Sequence, residues 1–126
     1  SVHDNIVSGL RFRKMSVDDI NKRLTKYTNY FSIDKLLNKN CKKLSGGEGA
    51  KAAMLRTIVL ETDVVLLDEP TAAMDAESTL EAEKLIKSIV NGNKTVIMVT
   101  HDLYQAERVA DYVIFMDKGR IIEHGT

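Results

Sequence analysis

Residues 64–70 read VVLLDEP, a continuous apolar run that ends in two carboxylates and a proline. Strands that are solvated on one face alternate apolar with polar residues, whereas parallel strands covered on both faces are apolar throughout. The run therefore predicts a parallel strand that is covered on both faces. The acidic pair comes where this strand ends, and open α/β sheets bind their ligands at that edge.

A second apolar run, TVIMV at residues 95–99, predicts a neighbouring parallel strand of the same kind. Between the two runs, residues 77–90 carry apolar side chains at helical spacing and are followed by Gly92, a residue typical of helix ends. The order of strand, helix and strand predicts a βαβ unit. Its two strands are expected to end at the same edge of the sheet.

The residues after this unit predict one more helix and a hairpin. Residues 103–110 have a helical pattern, and residues 112–116 and 120–123 read as two short strands. The connection contains Gly119, which can adopt a positive φ in a tight turn.

The chain before residue 44 is predicted to be mainly helical. Ser16, followed by two aspartates, indicates a helix start, and this helix is expected to run to about Tyr30. Apolar residues from Ile33 onward indicate a shorter helix. After residue 44 another helix is expected to begin at Gly46 and Gly47 and to be buried on most sides.

Composition limits the class of protein. The 126 residues are enough for one domain or part of one, and 18 basic residues balance 18 acidic ones, so the charge favours no nucleic-acid partner. Cys41 is the only cysteine, which rules out an internal disulfide, and it is expected to be a half-buried filler in a reducing compartment. No run approaches the ~18 apolar residues of a membrane span. Contact with a membrane is therefore expected only through a partner protein.

The ends of the two predicted strands carry the first candidates for chemistry. Asp68 and Glu69 place two adjacent carboxylates, with side chains pointing in different directions, where the sheet would present a ligand, or they could only cap the following helix. His101 follows the second strand and would lie near them if the strands are neighbours. A histidine in this position could also be a structural hydrogen-bonding residue.

A second candidate site is the sequence LSGGE at residues 44–48. Ser45, Gly46 and Gly47 stand at a helix start, where free N–H groups and the helix dipole favour an anion such as a γ-phosphate. Read alone, the same residues could be an ordinary N-cap with a glycine-rich turn. Asp75 could be an N-cap of the next helix.

Four motifs occur in a characteristic order: LSGGE, VVLLDEP, AMD at residues 73–75 and THD at residues 100–102. This set resembles the signature motif, Walker B strand, D-loop and switch histidine of the ATP-binding-cassette (ABC) ATPases, and the resemblance spans nearly the whole chain. The phosphate-cradling loop G-x-x-x-x-G-K-[ST] does not occur, since no Gly-Lys dipeptide is present. We expect that the P-loop half of the cassette is missing from these residues and that the isolated chain does not hydrolyse ATP.

The resemblance implies an α/β fold, namely a partial P-loop NTPase cassette in which a helical subdomain precedes parallel strands and crossover helices. Residues 1–43 would form the helical subdomain. Residues 44–126 would contain the signature motif and the C-terminal α/β part of the nucleotide-binding domain.

The resemblance also implies a role for each candidate residue. Asp68 would hold Mg²⁺, usually through water, and Glu69 would be the general base for the water that attacks the γ-phosphate. His101 would hydrogen-bond that phosphate, and Asp75 would couple two sites across a dimer. The residues of the signature motif would contact ATP held by the opposite subunit. These residues are Ser45, Gly46, Gly47 and Glu48. One departure from the family pattern is GAKA at residues 49–52, which lacks the usual polar residues and arginine.

Taken together, the resemblance implies that the chain is part of the ATP-hydrolysing subunit of an ABC membrane transporter. The transporter would be an importer, with ATP and Mg²⁺ as cofactors. Its expected partners are a transmembrane permease, a second nucleotide-binding subunit in a homodimer and, indirectly, a solute-binding protein. It would lie in the cytoplasm, on the cytoplasmic face of the membrane. The stretch THDLYQA at residues 100–106 is similar to importers of oxyanions such as tungstate or phosphate, although Gln105 and Ala106 could be ordinary helix surface. The alternatives are a soluble ABC-type ATPase of DNA repair or translation, and a short interaction module without hydrolysis.

Overall fold

The computed structural model describes all 126 residues, and it contains five α-helices and four strands. This mixture confirms the predicted α/β class and is consistent with a partial P-loop NTPase cassette. Two 3₁₀ helices, Ile33–Leu36 and Cys41–Lys43, precede the strands. The α-helices and strands are, in chain order, α1 (Val2–Phe12), α2 (Val17–Thr28), α3 (Gly46–Ile58), β1 (Val64–Asp68), α4 (Ala76–Asn91), β2 (Thr95–Val99), α5 (Leu103–Val109), β3 (Val113–Asp117) and β4 (Arg120–Gly125).

Helix α1 is not among the predicted elements, although its sequence carries helix signals. Ser1 caps it, because the Ser1 hydroxyl accepts a hydrogen bond from the backbone N–H of Asp4 and the Asp4 carboxylate turns back to Ser1. The helix buries an apolar stripe at helical spacing that includes Val2, Ile6 and Leu10. The capping box formed by Ser1 and Asp4 was therefore a sequence signal that could have predicted α1.

Helix α2 begins as predicted, with the Ser16 side chain accepting a hydrogen bond from the backbone N–H of Asp19. It ends at Thr28 rather than Tyr30. The backbone N–H of Tyr30 bonds to the carbonyl of Tyr27, three residues back, so the chain has already tightened into a turn there.

The βαβ prediction is confirmed. Strands β1 and β2 pair in parallel, with Val64 beside Thr95 at one end and Asp68 beside Val99 at the other. Helix α4 crosses between them and ends at its C-cap Gly92. The positive φ at this helix end belongs to Asn93, at 64°, and not to the glycine.

The prediction that both faces of these strands are covered is wrong for this chain. Val65 and Leu67 are buried on the face that packs on the helices, whereas Leu66 on the opposite face is 67% exposed. Ile97 and Val99 on β2 are also more than half exposed. The sheet formed by β1 and β2 has only two strands, and helices of this chain pack on one of its faces. An apolar strand sequence indicates that both faces of the strand suit burial. Whether a face is buried depends on whether another element packs on it.

Strands β3 and β4 form the predicted antiparallel hairpin, with an irregularity between Phe115 and Met116. Its two-residue turn has positive φ at Lys118 and at Gly119, 48° and 74°, as a type I′ turn requires. All side chains of both strands are exposed.

One core of 20 buried apolar residues joins α1, α2 and α3 to β1 and α4. The proposed division into residues 1–43 and 44–126 stays a prediction. Cys41 is exposed rather than half-buried, with its sulfur 3.4 Å from the Ser1 carbonyl oxygen. None of the helices has the length and apolar content that crossing a membrane would require.

Candidate functional site

The ends of β1 and β2 form the centre of the candidate site. Because the two strands are parallel, their carboxyl ends lie at one edge of the sheet, as the sequence predicted. The pairing continues one residue past β1, where the backbone N–H of Glu69 donates to the carbonyl of Val99 at 2.9 Å. This bond fixes the start of the loop that follows β1.

Glu69 and His101 are in direct contact at this edge. His101 Nδ1 lies 2.8 Å from Glu69 Oε1, and the His101 side chain is 83% exposed against 35% for that of Glu69. The hydrogen bond to Glu69 and the negative charge of its carboxylate raise the pKa of His101 above its ordinary value. His101 therefore keeps its proton up to a higher pH than a free histidine would.

Glu69 is held in an unusual backbone conformation, with a φ of 43°. A residue with a Cβ in this left-handed region costs free energy, and it persists only where the surrounding structure holds it. Two backbone bonds do so here: its N–H donates to Val99, and its carbonyl accepts from the N–H of Ala72 at 3.2 Å. Strain of this kind is concentrated at functional sites.

Asp68 is the last residue of β1 and its side chain is exposed. The chain holds no cluster of three or more His, Cys, Asp or Glu residues that could bind a metal ion by themselves. Mg²⁺ does not need such a cluster, because it usually keeps several waters and takes one or two carboxylates together with substrate phosphates. The single Asp68 carboxylate therefore fits the role of one Mg²⁺ ligand and no more.

The LSGGE sequence forms the N-terminus of α3, as predicted. Ser45 Oγ accepts from the backbone N–H of Glu48 at 3.2 Å, and the backbone N–H of Ser45 donates to Glu48 Oε2 at 2.9 Å. Glu48 is thus part of a capping box, and Lys39 Nζ holds its other oxygen at 3.1 Å. The N–H groups of Gly46 and Gly47 in the first turn lack intrahelical partners by geometry, and they remain suited to an anion.

The first turn of α3, which contains Gly46 and Gly47 and is called the signature turn here, packs against the loop that leads from Glu69 to Asp75. A Cβ on Gly47 would lie only 3.1 Å from the backbone oxygen of Ala73, and one on Gly46 would lie 3.7 Å from the Ala73 Cβ. The absence of a side chain at Gly47 therefore allows the backbone oxygen of Ala73 to approach closely. No hydrogen bond joins this turn to Glu69 or His101, so the structure presents two groups of candidate residues linked by one loop.

Asp75 caps helix α4. Its Oδ1 accepts from the backbone N–H of Ser78 at 2.8 Å, and this hydrogen bond lowers the pKa of Asp75. The N-cap interpretation is confirmed, while the role at a dimer interface stays a prediction. The side chain is exposed, so the two roles are compatible.

Comparison with known proteins identifies the chain. A family model described as "ABC transporter" matches residues 1–72, which is more than half of the 126. The chain belongs to the ABC transporter family. The resemblance drawn from the motifs is thereby confirmed.

Several curated relatives of this ABC transporter chain are named as phosphate import ATP-binding proteins. PstB of Thermotoga maritima is 37% identical over 130 residues, covering 99% of this chain and 51% of the relative. PstB 1 of Yersinia pestis is 36% identical over 129 residues, covering 98% of this chain and 47% of the relative. PstB 2 of Aliivibrio fischeri is 35% identical over 130 residues, covering 99% and 47%. The chain spans about half the length of the curated relatives it matches.

The ABC transporter chain also contains a polar network that sequence reasoning missed. Gln105, for which ordinary helix surface was one of two interpretations, is 1% exposed, and Glu83 is 5% exposed. Gln105 Nε2 donates to Thr71 Oγ1 at 2.9 Å, and the Arg108 guanidinium donates twice to Glu83. No local sequence pattern marks Gln105 as buried, because its partners Thr71 and Glu83 lie far away along the chain.

Proposed function

We propose that this chain is part of the ATP-hydrolysing subunit of an ABC importer, with an oxyanion such as phosphate as the transported substrate. The observation that carries the proposal is the contact between Glu69 and His101 at the carboxyl ends of two parallel strands. A carboxylate and a histidine at this edge can act together on a water molecule and a phosphate. The names of the relatives support the direction of transport and the substrate.

Glu69 is proposed as the general base for hydrolysis. It stands just past the end of β1, where its strained backbone and its contact with His101 fix its direction. A positioned carboxylate can accept a proton from water as that water attacks the γ-phosphate. Asp68 would supply a ligand for Mg²⁺, which neutralises charge on the phosphates when it is bound.

His101 is proposed to hydrogen-bond the γ-phosphate. Its ring is mostly exposed, so a nucleotide could reach it, and its Nδ1 is already bound to Glu69, which leaves Nε2 free to face the substrate. The raised pKa favours a protonated ring, which binds the charged phosphate oxygens more strongly than a neutral ring does.

The signature residues Ser45, Gly46, Gly47 and Glu48 are proposed to face ATP bound by a second nucleotide-binding subunit. Support comes from the N-terminus of α3, where the free N–H groups and the helix dipole attract an anion. Asp75 would lie near the same interface. A homodimer, a transmembrane permease and, indirectly, a solute-binding protein are the proposed partners, and the assembly would lie on the cytoplasmic face of the membrane.

ATP binding on this proposal needs a P-loop from outside these 126 residues, because no Gly-Lys dipeptide is present in them. The chain tested by itself is expected to show no ATP turnover. Turnover by the pure chain would overturn this part of the proposal.

The decisive test is Glu69→Gln in a cassette in which a P-loop segment accompanies these residues. We expect ATP binding to be retained and hydrolysis to fall by roughly 10²-fold or more, because the amide keeps the shape but cannot accept the proton. Glu107→Gln, on an exposed position of α5, is the matched control and should keep normal turnover. Normal turnover by Glu69→Gln would show that Glu69 is not the base.

A further inference from the structure

Helix α5 follows directly after His101, and it is anchored by a polar side chain. Gln105 is the only buried residue of α5, at 1% exposure, while Leu103 and Tyr104 are 62% and 75% exposed. Ala106 and Val109 are only half-buried. An apolar anchor would hold the helix without directing it, whereas an amide forms bonds of defined direction.

The Gln105 amide joins α5 to the loop after β1. Its Nε2 donates to Thr71 Oγ1 at 2.9 Å and approaches Glu83 Oε1 at 3.4 Å. Its Oε1 is buried without a hydrogen-bond partner. A buried acceptor without a partner destabilises the folded state, and an apolar side chain of the same size would avoid that cost. What the amide contributes here is therefore the donor bonds of Nε2.

The acceptor Glu83 is itself held in place. Arg108 Nε donates to Glu83 Oε2 at 3.0 Å and Arg108 Nη2 donates to Oε1 at 2.8 Å, a bidentate pair of fixed geometry. Glu83 lies on α4 and is 5% exposed. Gln105 therefore sits between a rigid carboxylate on α4 and the hydroxyl of Thr71.

Two hydrogen bonds join the same pair of chain segments. One links residue 69 with residue 101, and the other links residue 71 with residue 105. Between His101 and Gln105, the Asp102 side chain accepts from the backbone N–H of Gln105 at 3.1 Å, which ties the start of α5 to the same residue. The Gln105 bond thus limits how far the loop of Glu69 can move from His101.

We propose that Gln105 is a positioning residue that holds the loop after β1 so that Glu69 stays directed at His101. The effect on turnover rests on the proposed function, but the effect on the contact between the two side chains does not. Gln105 forms no hydrogen bond with either side chain, and it acts through Thr71 on one side and α5 on the other.

The test is Gln105→Met, which keeps the length of the side chain and removes both the donors and the unpaired acceptor. The first readout uses the 126-residue chain: nuclear Overhauser effects between the His101 ring and the Glu69 side chain, with urea unfolding in parallel. We expect these Overhauser effects to disappear while the unfolding midpoint stays the same or rises. Tyr104→Ala, on the exposed face of α5, is the control and should retain them.

Thr71→Val provides a second route, because it removes the acceptor hydroxyl from a half-buried position and leaves Gln105 in place. It should remove the same Overhauser effects, and the double variant should differ little from either single variant, since both variants lose the hydrogen bond between residues 71 and 105. Should Gln105→Met fail to fold, Thr71→Val still decides the question. Undiminished Overhauser effects in Thr71→Val would overturn the proposal.

The second readout uses a cassette complete with a P-loop. There Gln105→Met is expected to lower kcat by roughly 10- to 100-fold, the scale of a misplaced catalytic group, with KM for ATP little changed. A wild-type kcat in a variant whose Glu69 no longer touches His101 would overturn the positioning role in catalysis. A wild-type cassette without ATPase activity would instead refute the proposed function, and the result for the Glu69–His101 contact would stand.

Discussion

Replacing Gly47 and Gly49 by alanine, one at a time, separates two effects of glycine at the start of α3. Both residues lie in the first turns of a helix that begins at Gly46, and neither has a positive φ. A Cβ on Gly49 would meet no heavy atom within 4 Å, whereas a Cβ on Gly47 would lie 3.1 Å from the backbone oxygen of Ala73. The two substitutions therefore differ in packing and share the same backbone conformation.

The expected free energies of unfolding follow from these contacts. Alanine is favoured over glycine within a helix, so Gly49→Ala should raise the free energy of unfolding by roughly 0.5–1 kcal/mol. Gly47→Ala has the same gain, but it must push a backbone carbonyl back by a few tenths of an ångström, and overpacking costs about 1–3 kcal/mol. We expect Gly47→Ala to leave stability unchanged or to lower it by up to about 2 kcal/mol.

Urea unfolding followed by circular dichroism at pH 7 measures the difference. In thermal unfolding, each kcal/mol should appear as a shift of about 4 °C in Tm for a chain of this size. Gly46→Ala is a further control, because its Cβ would make an ordinary contact at 3.7 Å with the Ala73 Cβ, and it should not be destabilised like Gly47→Ala. If Gly47→Ala stabilised the chain as much as Gly49→Ala does, Ala73 would not be held against the signature turn.

Three further predictions concern the core and the charged groups. Leu55→Ala should lower the free energy of unfolding by about 2–5 kcal/mol, because Leu55 is fully buried on α3, and a loss under about 1 kcal/mol in urea unfolding would contradict the core packing. Glu69→Gln should lower the pKa of His101 toward its ordinary value, because the carboxylate that stabilises the charged ring is gone; an NMR titration that finds the same pKa would contradict the contact. The Arg108 guanidinium holds the pKa of Glu83 below its ordinary value, so this carboxylate stabilises the fold above the unfolded pKa of about 4.5, and the contribution disappears as the pH falls through the lower folded value. Glu83→Gln should therefore be less stable than the wild type at pH 7, with a gap that narrows below about pH 4.5; a gap independent of pH would exclude this origin.

Local patterns were sufficient for the α/β unit. The apolar runs at residues 64–67 and 95–99, with a periodic helix between them, predicted a parallel βαβ unit, and parallel strands bring their ends to one edge. Ser45 before two glycines predicted the start of α3 in the same way, since the capping interaction spans only a few residues. The family resemblance depended on the order of four motifs along the chain, and the match of the family model to residues 1–72, which contain LSGGE and VVLLDEP, confirmed the family.

Contacts between distant residues could not be read from local patterns. The burial of Gln105 depends on Thr71 and Glu83, residues 34 and 22 positions away along the chain. The exposure of Leu66 depends on whether anything covers the second face of the sheet, and the pattern of the strand is the same in either case.

The sequence by itself determined the α-helices and strands from α2 onward, their order and the types of residue at the strand ends, because these follow from periodicity, capping and turn chemistry within a few residues. Only the tertiary structure decided that His101 touches Glu69, that Gly47 packs against the Ala73 carbonyl and that Gln105 is the buried residue of α5. The physical reason is that these contacts join segments up to 34 residues apart, and their geometry is set by the packing of the whole core.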